Sequence, residues 1–501
     1  MQSTGDDKGG VTAGLAYGTR VAERLRSCIL SGPLPGAHAA GEAGSKDCGS
    51  VVRIELLVRA GSVEEARYQA HGCPATLASA SQTCASVTGR SFLAAASVSQ
   101  ADICRELGLV SSKEYTAGVA LDALHQALAA ALGSPECEVG PLSDEGRGGV
   151  LVGMSGGVDS AVAALLLKER GFSVVGITLT LWNDPGVAGE RSCCSSENVG
   201  RARRVAHSLG IPHLALDAAQ PFYRDVVEYF VSEYAAGRTP NPCAKCNSRV
   251  RLGALLEAAR RLGLSRVATG HYARMTGTPP RLARGVDLLK DQSYVLAEVS
   301  PALLEHVVFP LGEMRKPEVR ERAARAGLEG HSAPESQEIC FVPDDDHRRF
   351  LRERLGDLPG HIVDTDGGIL GRHEGTYNFT IGQRKGLRVA AGVPRYVVAI
   401  DASDRRVVAG TARDAQVGAV SATGLVWHRG PTGRPLTIQV RSAGAALSAG
   451  DLMAAGDDMT LFLREPATGV APGQTAVVYE AGEVVVAGTI TSTKEWAGRD
   501  Q

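Results

Sequence analysis

A glycine turn flanked by hydroxyl side chains is the part of the sequence best suited to bind an anion. The segment 155–160, Ser-Gly-Gly-Val-Asp-Ser, lies between the apolar runs 150–152 and 161–167. This order predicts a strand, a tight turn and the start of a helix, whose first backbone N–H groups have no partner inside that helix. The helix dipole and the two serine hydroxyls favour a phosphate or pyrophosphate there. Since a bare carboxylate would repel that anion, we expect Asp159 to bind a Mg²⁺ ion or to orient a hydrogen-bond donor.

Three cysteines form a second group of residues that could do chemistry. Cys243 and Cys246 lie in the segment 239–247, Thr-Pro-Asn-Pro-Cys-Ala-Lys-Cys-Asn, and Cys340 lies far along the chain. The two prolines predict a rigid, non-helical loop with Cys246 at or near the start of the next helix, where the dipole and the neighbouring Lys245 favour the thiolate. From these residues alone three interpretations stay open: a zinc or iron–sulfur site, buried small side chains, and redox or nucleophilic chemistry.

Length and charge limit these interpretations. At 501 residues the chain is long enough for several domains, and 53 basic against 55 acidic residues give a net charge of −2, so bulk charge predicts no affinity for nucleic acid. The start, 1–7, lacks the features of a secretory signal, and the longest apolar stretch, 117–132, is interrupted by Asp122, His125 and Gln126. We therefore expect a cytoplasmic protein without membrane contact, whose eleven cysteines are thiols, metal ligands or catalytic groups rather than structural disulfides.

The elements that must position these groups alternate between strand and helix beyond residue 150. The pattern predicts strands at 150–154, 174–181, 213–216 and 266–270, and helices at 160–170, 197–209, 221–236 and 248–262. Such alternation is typical of a parallel sheet covered by helices on both faces, with ligands at the carboxyl ends of the strands. From about residue 415, short alternating segments separated by Gly, Pro and Asp predict an antiparallel β-barrel or sandwich.

The chain is therefore expected to divide into five parts. A stretch rich in Gly, Pro and charged residues is typical of a linker, and a glycine-rich basic stretch precedes the predicted barrel. We predict an N-terminal domain, the linker, an α/β domain with a parallel sheet, a small central domain and a C-terminal β-barrel, with the bounds 1–133, 134–149, 150–345, 346–414 and 415–501.

Several further strings, in the same order along the chain, resemble those of the bacterial tRNA-specific 2-thiouridylases, which are members of the ATP pyrophosphatase superfamily. The resemblance runs from about 150 to 495 and includes the glycine turn and the cysteine segments. It is carried by the segments 153–160, 239–247, 270–273 (Gly-His-Tyr-Ala), 290–294 (Lys-Asp-Gln-Ser-Tyr), 336–341 (Ser-Gln-Glu-Ile-Cys-Phe), 373–387 and 471–474 (Ala-Pro-Gly-Gln).

This resemblance implies ATP-dependent 2-thiolation of the wobble uridine of tRNA. The C2 oxygen of uracil is a very poor leaving group, so it would first be adenylated, and AMP would then depart. Cys340 would carry the sulfur as a persulfide, and Cys246 would be the nucleophile that helps to release the terminal sulfur to C2. The two thiols would finish as a disulfide that a cellular reductant resets, which requires them to approach each other during turnover.

The resemblance also implies which positions bind the two substrates. ATP would be bound by Gly153, Met154, Ser155, Gly156, Gly157, Val158, Asp159, Ser160, Leu179 and Gly270. The tRNA would contact Asn241, Pro242, Cys243, His271, Lys290, Asp291, Gln292, Arg441, Ser442 and Gln474. A basic strip in a glycine-rich loop could also meet phosphates, although such runs are often only solvated surface; it consists of Arg384, Lys385, Arg388 and Arg395.

Two positions depart from the pattern of that family. Cys243 replaces an aspartate that many members carry, and Ser442 is followed by Ala443 where a basic or aromatic residue is expected. The first change creates a Cys-x-x-Cys pair with Cys246. Together with Cys340 it gives three thiols, enough for a [4Fe–4S] cluster with one open iron. This cluster is a rival means of sulfur delivery.

Residues 47–133 resemble the α+β scaffold proteins that assemble iron–sulfur clusters. Cys48 and Cys73 match two of the three cysteine ligands of that family, but the segment 113–116, Lys-Glu-Tyr-Thr, stands where a His-Cys pair is usual, and Ser50 replaces an aspartate. We therefore predict a degenerate scaffold that docks a cysteine desulfurase or another sulfur donor, in preference to one that assembles clusters.

Two rival functions stay open. One is an iron–sulfur cluster or sulfur carrier whose C-terminal portion only binds RNA, and the other is an amidating or ligating enzyme of the same ATP superfamily. An intact pyrophosphate turn together with Cys246 and Cys340 disfavours the carrier, and the ligating enzymes need no pair of thiols. The sequence thus favours a tRNA-uridine 2-sulfurtransferase.

Overall fold

The computed structural model describes residues 18–27, 30–44, 49–135, 137, 139, 148–182, 196–329, 339–342, 346–389 and 392–496. Its strands are β1 (Ala39–Gly44), β2 (Val51–Arg59), β3 (Ser62–His71), β4 (Gly149–Gly153), β5 (Ser173–Thr180), β6 (His213–Asp217), β7 (Arg266–Ala268), β8 (Ala273–Thr276), β9 (Arg281–Arg284), β10 (Val307–Val308), β11 (Gly360–Val363), β12 (Ile369–His373), β13 (Tyr396–Asp401), β14 (Arg406–Gly410), β15 (Gln416–Trp427), β16 (Leu436–Gln439), β17 (Leu447–Ala455), β18 (Asp458–Thr468), β19 (Thr475–Glu480) and β20 (Glu483–Glu495).

The α-helices of the described residues are α1 (Thr19–Arg26), α2 (Pro74–Val87), α3 (Phe92–Ala96), α4 (Gln100–Leu107), α5 (Glu114–Gly133), α6 (Val158–Glu169), α7 (Ser196–Ser208), α8 (Ala219–Phe222), α9 (Tyr229–Ala235), α10 (Pro242–Lys245), α11 (Leu252–Arg261), α12 (Ser293–Leu296), α13 (Pro301–Leu304), α14 (Lys316–Arg325) and α15 (His347–Leu355). Wider π-helical turns, Tyr223–Glu228 and Cys246–Arg251, join α8 to α9 and α10 to α11. Among the described helices, none is long and apolar enough to cross a bilayer.

The N-terminal unit is an antiparallel sheet in the order β1-β2-β3, packed against helices. Alternate residues of β2 are buried, among them Val52, Ile54 and Leu56, because successive side chains of a strand point to opposite faces. The helices α2 and α5 cover the buried face and pack against each other. This unit has the α+β architecture that the sequence predicts.

The second unit is built on a parallel sheet in the order β10-β7-β4-β5-β6. All four pairings are parallel, as the alternation of strands and helices predicts. The strands at 150–154, 174–181, 213–216 and 266–270 are confirmed to within a few residues. The glycine turn follows β4 and therefore lies at the carboxyl edge of this sheet.

Different helices cover the two faces of the parallel sheet. On one face, Val150 and Val152 pack with apolar residues of α6, α7 and α14. On the other face, Leu151, Ile177 and Leu214 belong to a cluster that contains α11 and also α5 of the N-terminal unit. Because alternate residues of a strand face opposite sides, the sheet separates these two clusters.

The helix α5 is buried almost all round, since it lies between the N-terminal sheet and strand β6 of the parallel sheet. Polar contacts accompany this packing. Arg203 Nη1 donates to Asp122 Oδ1 at 2.7 Å, and His207 Nε2 lies 3.2 Å from the carbonyl oxygen of Ala96. The N-terminal unit therefore completes the cover of the parallel sheet. Most of the predicted linker, 136, 138 and 140–147, lies outside the described residues.

The strands β15 to β20 close into an antiparallel barrel. They run in the order β15-β18-β17-β16-β19-β20, and β20 pairs with β15 to complete the ring. A hairpin of the second unit, β8 and β9, extends this sheet through the pairing of Ala283 with Glu483. A four-stranded sheet in the order β12-β11-β14-β13, with α15 before it, lies between the two units in sequence. The predicted C-terminal β-barrel is confirmed.

Candidate active site

The glycine turn has the geometry of an anion site. Gly156 has a φ of 76°, which a residue without Cβ adopts at no steric cost. Ser155 N donates to Ser160 Oγ at 3.2 Å, and this hydroxyl donates to Gly157 O at 3.0 Å. No side chain of the described residues caps the start of α6 at Gly157. The backbone N–H groups at the start of α6 are thus directed towards the glycine turn, where they favour the binding of a phosphate.

Asp159 is bound by two residues that the sequence analysis did not identify. Lys316 Nζ lies 2.7 Å from each carboxylate oxygen, and Tyr272 OH donates to Oδ1 at 2.8 Å. Burial and the neighbouring carboxylate raise the pKa of Tyr272, so this phenol is a permanent donor. Lys316 is the first residue of α14 and precedes Pro317, but only the tertiary structure brings it to the turn.

The expectation that Asp159 binds a Mg²⁺ ion does not fit this arrangement. Both oxygens of the carboxylate already accept hydrogen bonds from an ammonium group, which a divalent cation would have to displace. The second expected role, in which Asp159 orients a donor, agrees with its contact with Lys316.

Two further predicted ATP positions lie close to the turn. Gly270 packs so tightly on α6 that a Cβ there would lie 2.8 Å from Ser160 N, so a glycine is required. Leu179 lies near the carboxyl end of β5 and packs against the apolar cluster to which Cys246 and Cys340 belong. Met154 is fixed between strands because its N–H donates to Ile177 O at 2.7 Å.

The cysteine segment is helical, and the prediction of a non-helical loop is wrong for its second half. Pro242 occupies the first position of α10, and Asn241 caps this helix by accepting from Ala244 N at 3.2 Å. Proline is favoured at this position because the N–H that it lacks would have no helical partner. Cys243 is therefore exposed in the first turn, whereas Cys246 lies one turn further on and is buried.

Cys246 and Cys340 pack into the same apolar cluster. This cluster contains Phe222, Phe230 and Phe341, and Cys340 lies at its half-buried margin. None of the cysteines that the structure describes is in a disulfide: Cys73, Cys84, Cys104, Cys137, Cys243, Cys246 and Cys340. The fold thus brings the two distant cysteines to one region.

The three thiols do not form a ligand set for an iron–sulfur cluster in the described residues. Cys243 is exposed and Cys246 is buried, and no group of three potential ligands is found in this part of the chain. The expected influence of Lys245 on a thiolate is also not supported. Its ammonium group is paired with Glu298 at 2.7 Å, so its charge is already compensated.

The predicted tRNA positions 290–292 and His271 lie around one loop. The side chain of Asp291 is buried, and its carboxylate accepts from Arg284 Nη1 at 2.8 Å and from Ser293 Oγ at 2.9 Å. Gln292 Oε1 accepts from Tyr272 N at 3.0 Å. The side chains of Asp291 and Gln292 thus stabilise the loop by hydrogen bonds inside the protein. Lys290 is half-buried.

His271 is uncharged at neutral pH. Burial, together with the charge of the nearby Arg251, lowers its pKa to about 3. Its Nδ1 lies 2.7 Å from Thr269 Oγ1, and its ring meets Phe309 edge to face with centroids 6.2 Å apart. The imidazole can therefore offer a neutral hydrogen-bonding group but no positive charge.

The predicted tRNA positions of the barrel differ in exposure. Arg441 and Ser442 are exposed, and the side-chain amide of Gln439 donates to their carbonyl oxygens at 3.1 and 3.0 Å. Gln474 instead donates its amide N–H groups to the carbonyl oxygens of residues 239 and 240. In the basic strip, three side chains are exposed and the last is half-buried: Arg384, Lys385, Arg388 and Arg395.

Arg284 connects the loop 290–292 to the barrel, and no local sequence pattern predicts this role. Its Nη1 binds Asp291, its Nη2 donates to Gln439 Oε1 at 2.9 Å, and its guanidinium lies 3.8 Å from the ring centroid of Tyr479. Since Gln439 also holds the carbonyls at 441 and 442, the two groups of predicted tRNA positions share one hydrogen-bonded network.

In the N-terminal unit, Cys73 lies at the start of α2, and Cys48 lies outside the described residues. Partial burial raises the pKa of the Cys73 thiol, but hydrogen bonds from Thr76 and Ala75 outweigh this effect, so the pKa is below its ordinary value. Ser50 is buried, and its hydroxyl lies 3.1 Å from Thr76 Oγ1. Cys73 is thus the described thiol of this unit with a lowered pKa.

The parallel sheet and its uncapped glycine turn define an ATP pyrophosphatase type of α/β domain, here joined to an iron–sulfur-scaffold type of domain. Four family models match the chain: the NifU-like N terminal domain at residues 16–138, the tRNA methyl transferase HUP domain at 148–344, the tRNA methyl transferase PRC-barrel domain at 348–411 and the aminomethyltransferase β-barrel domain at 419–490.

Some relatives contain both the NifU-like and the thiouridylase part of the chain, and others contain only one of them. The chain is 45% identical over 491 residues to the bifunctional protein NifU/MnmA of Rubrobacter xylanophilus, covering 96% of this chain and 99% of the relative. It is 46% identical over 358 residues to the tRNA-specific 2-thiouridylase MnmA of Acidothermus cellulolyticus, covering 70% of this chain and 99% of the relative. A crystal structure of the N-terminal part of a nitrogen-fixing NifU-like protein from Brucella abortus matches with 20% identity and a TM-score of 0.21, covering 24% of this chain and 96% of that chain.

The chain belongs to the family of bifunctional NifU/MnmA proteins, in which a NifU-like domain is fused to a tRNA-specific 2-thiouridylase. Both resemblances that the sequence indicated are confirmed.

Proposed function

We propose that this chain catalyses ATP-dependent 2-thiolation of the wobble uridine of tRNA and that the sulfur comes from a cysteine persulfide. The observation that carries the proposal is the packing of Cys246 and Cys340 in one apolar cluster that also contacts Leu179, near the carboxyl end of β5. Ligands of open parallel sheets bind at this edge. Because tRNA is the substrate, we place the enzyme in the cytoplasm.

In the first step, the C2 oxygen of the uridine attacks the α-phosphorus of ATP. The bond to the β-phosphate oxygen breaks, pyrophosphate leaves, and an adenylated uridine forms. The N–H groups at the start of α6 provide positive electrostatic potential where the pyrophosphate gains charge, and the ammonium group of Lys316 neutralises the Asp159 carboxylate, which would otherwise repel that anion. Asp159 holds Lys316 beside the turn.

In the second step, the terminal sulfur of a persulfide on Cys340 attacks C2 and AMP leaves. The thiolate of Cys246 then attacks the inner sulfur, the S–S bond of the persulfide breaks, and its electron pair stays with the sulfur on C2. A Cys246–Cys340 disulfide forms. Two electrons from a cellular dithiol reductant return both residues to thiols, and a sulfur donor reloads Cys340.

A variant of Cys340 tests this proposal most directly. Cells that depend on this chain for tRNA modification should lose 2-thiouridine when they express Cys340→Ala, as measured by mass spectrometry of digested tRNA. Cys104→Ala is the matched control, since this half-buried thiol lies in the N-terminal unit. Undiminished 2-thiouridine with Cys340→Ala would contradict the assigned role.

For the N-terminal unit we propose docking of a cysteine desulfurase, with Cys73 as a relay thiol, in preference to cluster assembly. The lowered pKa of Cys73 favours a thiolate that can accept a persulfide, and Lys113 stands in the segment where the scaffold family supplies a further ligand. Because α5 covers the parallel sheet, the test uses the full chain. Cys73→Ser should slow sulfur loading of Cys340 from the desulfurase, and equal loading would contradict the relay.

A carrier of iron–sulfur clusters is the alternative function. Iron and sulfide analysis after anaerobic purification distinguishes the two. An iron-free protein that thiolates tRNA fully supports the persulfide route, whereas stoichiometric iron bound in a Cys243-dependent manner would contradict it.

A further inference from the structure

Lys245, which lies between the two cysteines of the segment 239–247, has its charged end buried against the C-terminal barrel. The side chains of Lys245 and Glu298 are 9% and 7% exposed, and Nζ lies 2.7 Å from Oε2. Nζ also donates to Thr489 Oγ1 at 3.0 Å. A buried ammonium group is tolerated only when it is paired and hydrogen-bonded, so the position of this side chain is strongly constrained.

The partner carboxylate is in turn held by the barrel. The second oxygen of Glu298, Oε1, accepts from Thr475 Oγ1 at 2.8 Å. Thr475 and Thr489 are direct neighbours across the strands β19 and β20. The ion pair thus lies on two adjacent strands, and each of its members has a threonine hydroxyl as a further partner.

The backbone at the start of the segment 239–247 is also held by the barrel. Thr239 N donates to Pro472 O at 2.8 Å, and Gln474 Nε2 donates to the carbonyl oxygens of Thr239 and Pro240 at 3.1 and 3.2 Å. Gly473 has a φ of 92°, and a Cβ there would lie 2.9 Å from Thr239 O. The turn before β19 therefore fits the start of the cysteine segment closely.

We propose that Lys245 and Glu298 are positioning residues for the sulfur-transfer step. Their buried ion pair fixes the cysteine segment on the barrel, so that Cys246 has a set position relative to the uridine of a tRNA bound to the barrel loop at 441–442. This inference rests on the proposed function. Lys245 acts through the backbone that it shares with Cys246, because its ammonium group is turned to Glu298 and Thr489.

The reason for such a device is the steep dependence of rate on geometry. A displacement of about 1 Å at a reacting group can lower a rate by about 10²-fold. The ATP positions lie at the parallel sheet, whereas the proposed tRNA positions lie both there and on the barrel. Cys246 must therefore be placed correctly relative to both units. A buried ion pair whose members also hydrogen-bond to Thr489 and Thr475 favours one arrangement, because separating the pair leaves a buried charge without its counter-charge.

The test compares charge removal at this pair with charge removal at another buried pair of the barrel. In the full chain, Lys245→Met with Glu298→Gln removes both charges and keeps the side-chain volumes similar. Arg429→Met with Glu480→Gln is the control, since this pair is also buried and β19 carries Glu480. Because Arg429 pairs with Glu483 as well, this control perturbs the ion pairs of the barrel at least as much as the test variant does. Glu298→Gln alone leaves a buried ammonium group without a counter-charge and should have the lowest melting temperature of the three.

Three measurements separate positioning from a purely structural role. For the Lys245/Glu298 double variant we expect kcat for thiolation to fall about tenfold to hundredfold, the KM for ATP to change less than twofold, and the rate of alkylation of Cys246 by iodoacetamide to change at least threefold. The control double variant should keep kcat and the alkylation rate near wild-type values.

Wild-type kcat and an unchanged alkylation rate in a folded Lys245/Glu298 double variant would overturn the inference. An equal loss of kcat in the control would overturn it too, because the effect would then come from general destabilisation of the barrel. Failure of the proposed function can be distinguished from failure of this inference. In that case the wild-type chain itself would show no tRNA-dependent release of AMP, although the alkylation of Cys246 could still be measured.

Discussion

The ammonium group of Lys316 lies 2.7 Å from both carboxylate oxygens of Asp159, although the two residues are 157 positions apart in the chain. This pair places an ammonium group beside the glycine turn at the start of α6, where it compensates the negative charge of Asp159. The charge of the lysine is held there before any nucleotide binds, so it needs little reorganisation when pyrophosphate forms.

Loss of this charge should impair adenylation. We expect Lys316→Met to lower the rate of tRNA-dependent pyrophosphate release by about 10²- to 10³-fold, as for removal of other groups that stabilise developing charge. Arg322→Met is the matched control, because Arg322 lies on the same helix and pairs with Glu169 on the surface. Pyrophosphate release within threefold of wild type in Lys316→Met would contradict this role.

The close packing of Gly270 on the turn predicts a steric effect on ATP binding. Gly270→Ala places a Cβ about 2.8 Å from Ser160 N, so the start of α6 must shift. We expect the KM for ATP to rise about tenfold or more. Gly253→Ala serves for comparison, because no atom lies within 4 Å of the Cβ position there, and the KM for ATP of this variant should be unchanged. Similar KM values for both variants would contradict the argument.

The network around Arg284 predicts an effect on tRNA affinity. Arg284→Lys keeps a positive charge near Asp291 but cannot also bind Gln439, because an ammonium group lacks the planar fork of a guanidinium. Gln439 then holds the carbonyls at 441 and 442 less firmly. We expect the Kd for tRNA to rise about threefold to tenfold, which corresponds to about 0.7–1.4 kcal/mol, with the KM for ATP unchanged.

Filter binding with labelled tRNA measures this effect, and Arg281→Lys is the control. Arg281 lies on the same strand but is more exposed and pairs with Glu483. Unchanged tRNA affinity in Arg284→Lys would show that the contacts of Arg284 do not affect tRNA binding by the exposed loop at 441–442.

Three histidines lie where the N-terminal unit packs on the parallel-sheet unit, and we expect them to make the protein less stable in acid. Burial lowers the pKa values of His125, His207 and His213 below the ordinary 6.5, and the charge of Arg203 lowers them further. Below pH 6.5 the unfolded chain therefore binds protons that the folded chain excludes. Stability is full above this pH and falls as the pH decreases towards the lowered folded-state pKa values, by at most about 1.4 kcal/mol per pH unit for each such histidine.

Urea unfolding at pH 7.5 and pH 5.5 measures this dependence. His125→Leu removes one of the buried groups and should reduce the difference between the two unfolding midpoints, whereas His361→Gln, at an exposed position, should not. An undiminished difference in His125→Leu would assign the acid sensitivity to other groups.

Much of the fold follows from local patterns in the sequence. The strands of the parallel sheet, the helix after the glycine turn and the C-terminal barrel are found where apolar periodicity and turn residues predict them. These features depend on backbone dihedral preferences and on which face of an element is apolar, and both are properties of neighbouring residues. The start of α10 was predicted wrongly because Pro242 begins this helix instead of excluding it.

The partners of the site residues could not be predicted in the same way. The sequence alone determined which chemical groups the chain carries and which elements bear them: a pyrophosphate turn, a cysteine segment and a distant third thiol. Only the tertiary structure decided that Lys316 meets Asp159, that Glu298 meets Lys245, and that α5 covers the parallel sheet. The physical reason is that contacts between distant segments depend on the packing of whole elements, whereas the patterns that indicate those elements are local.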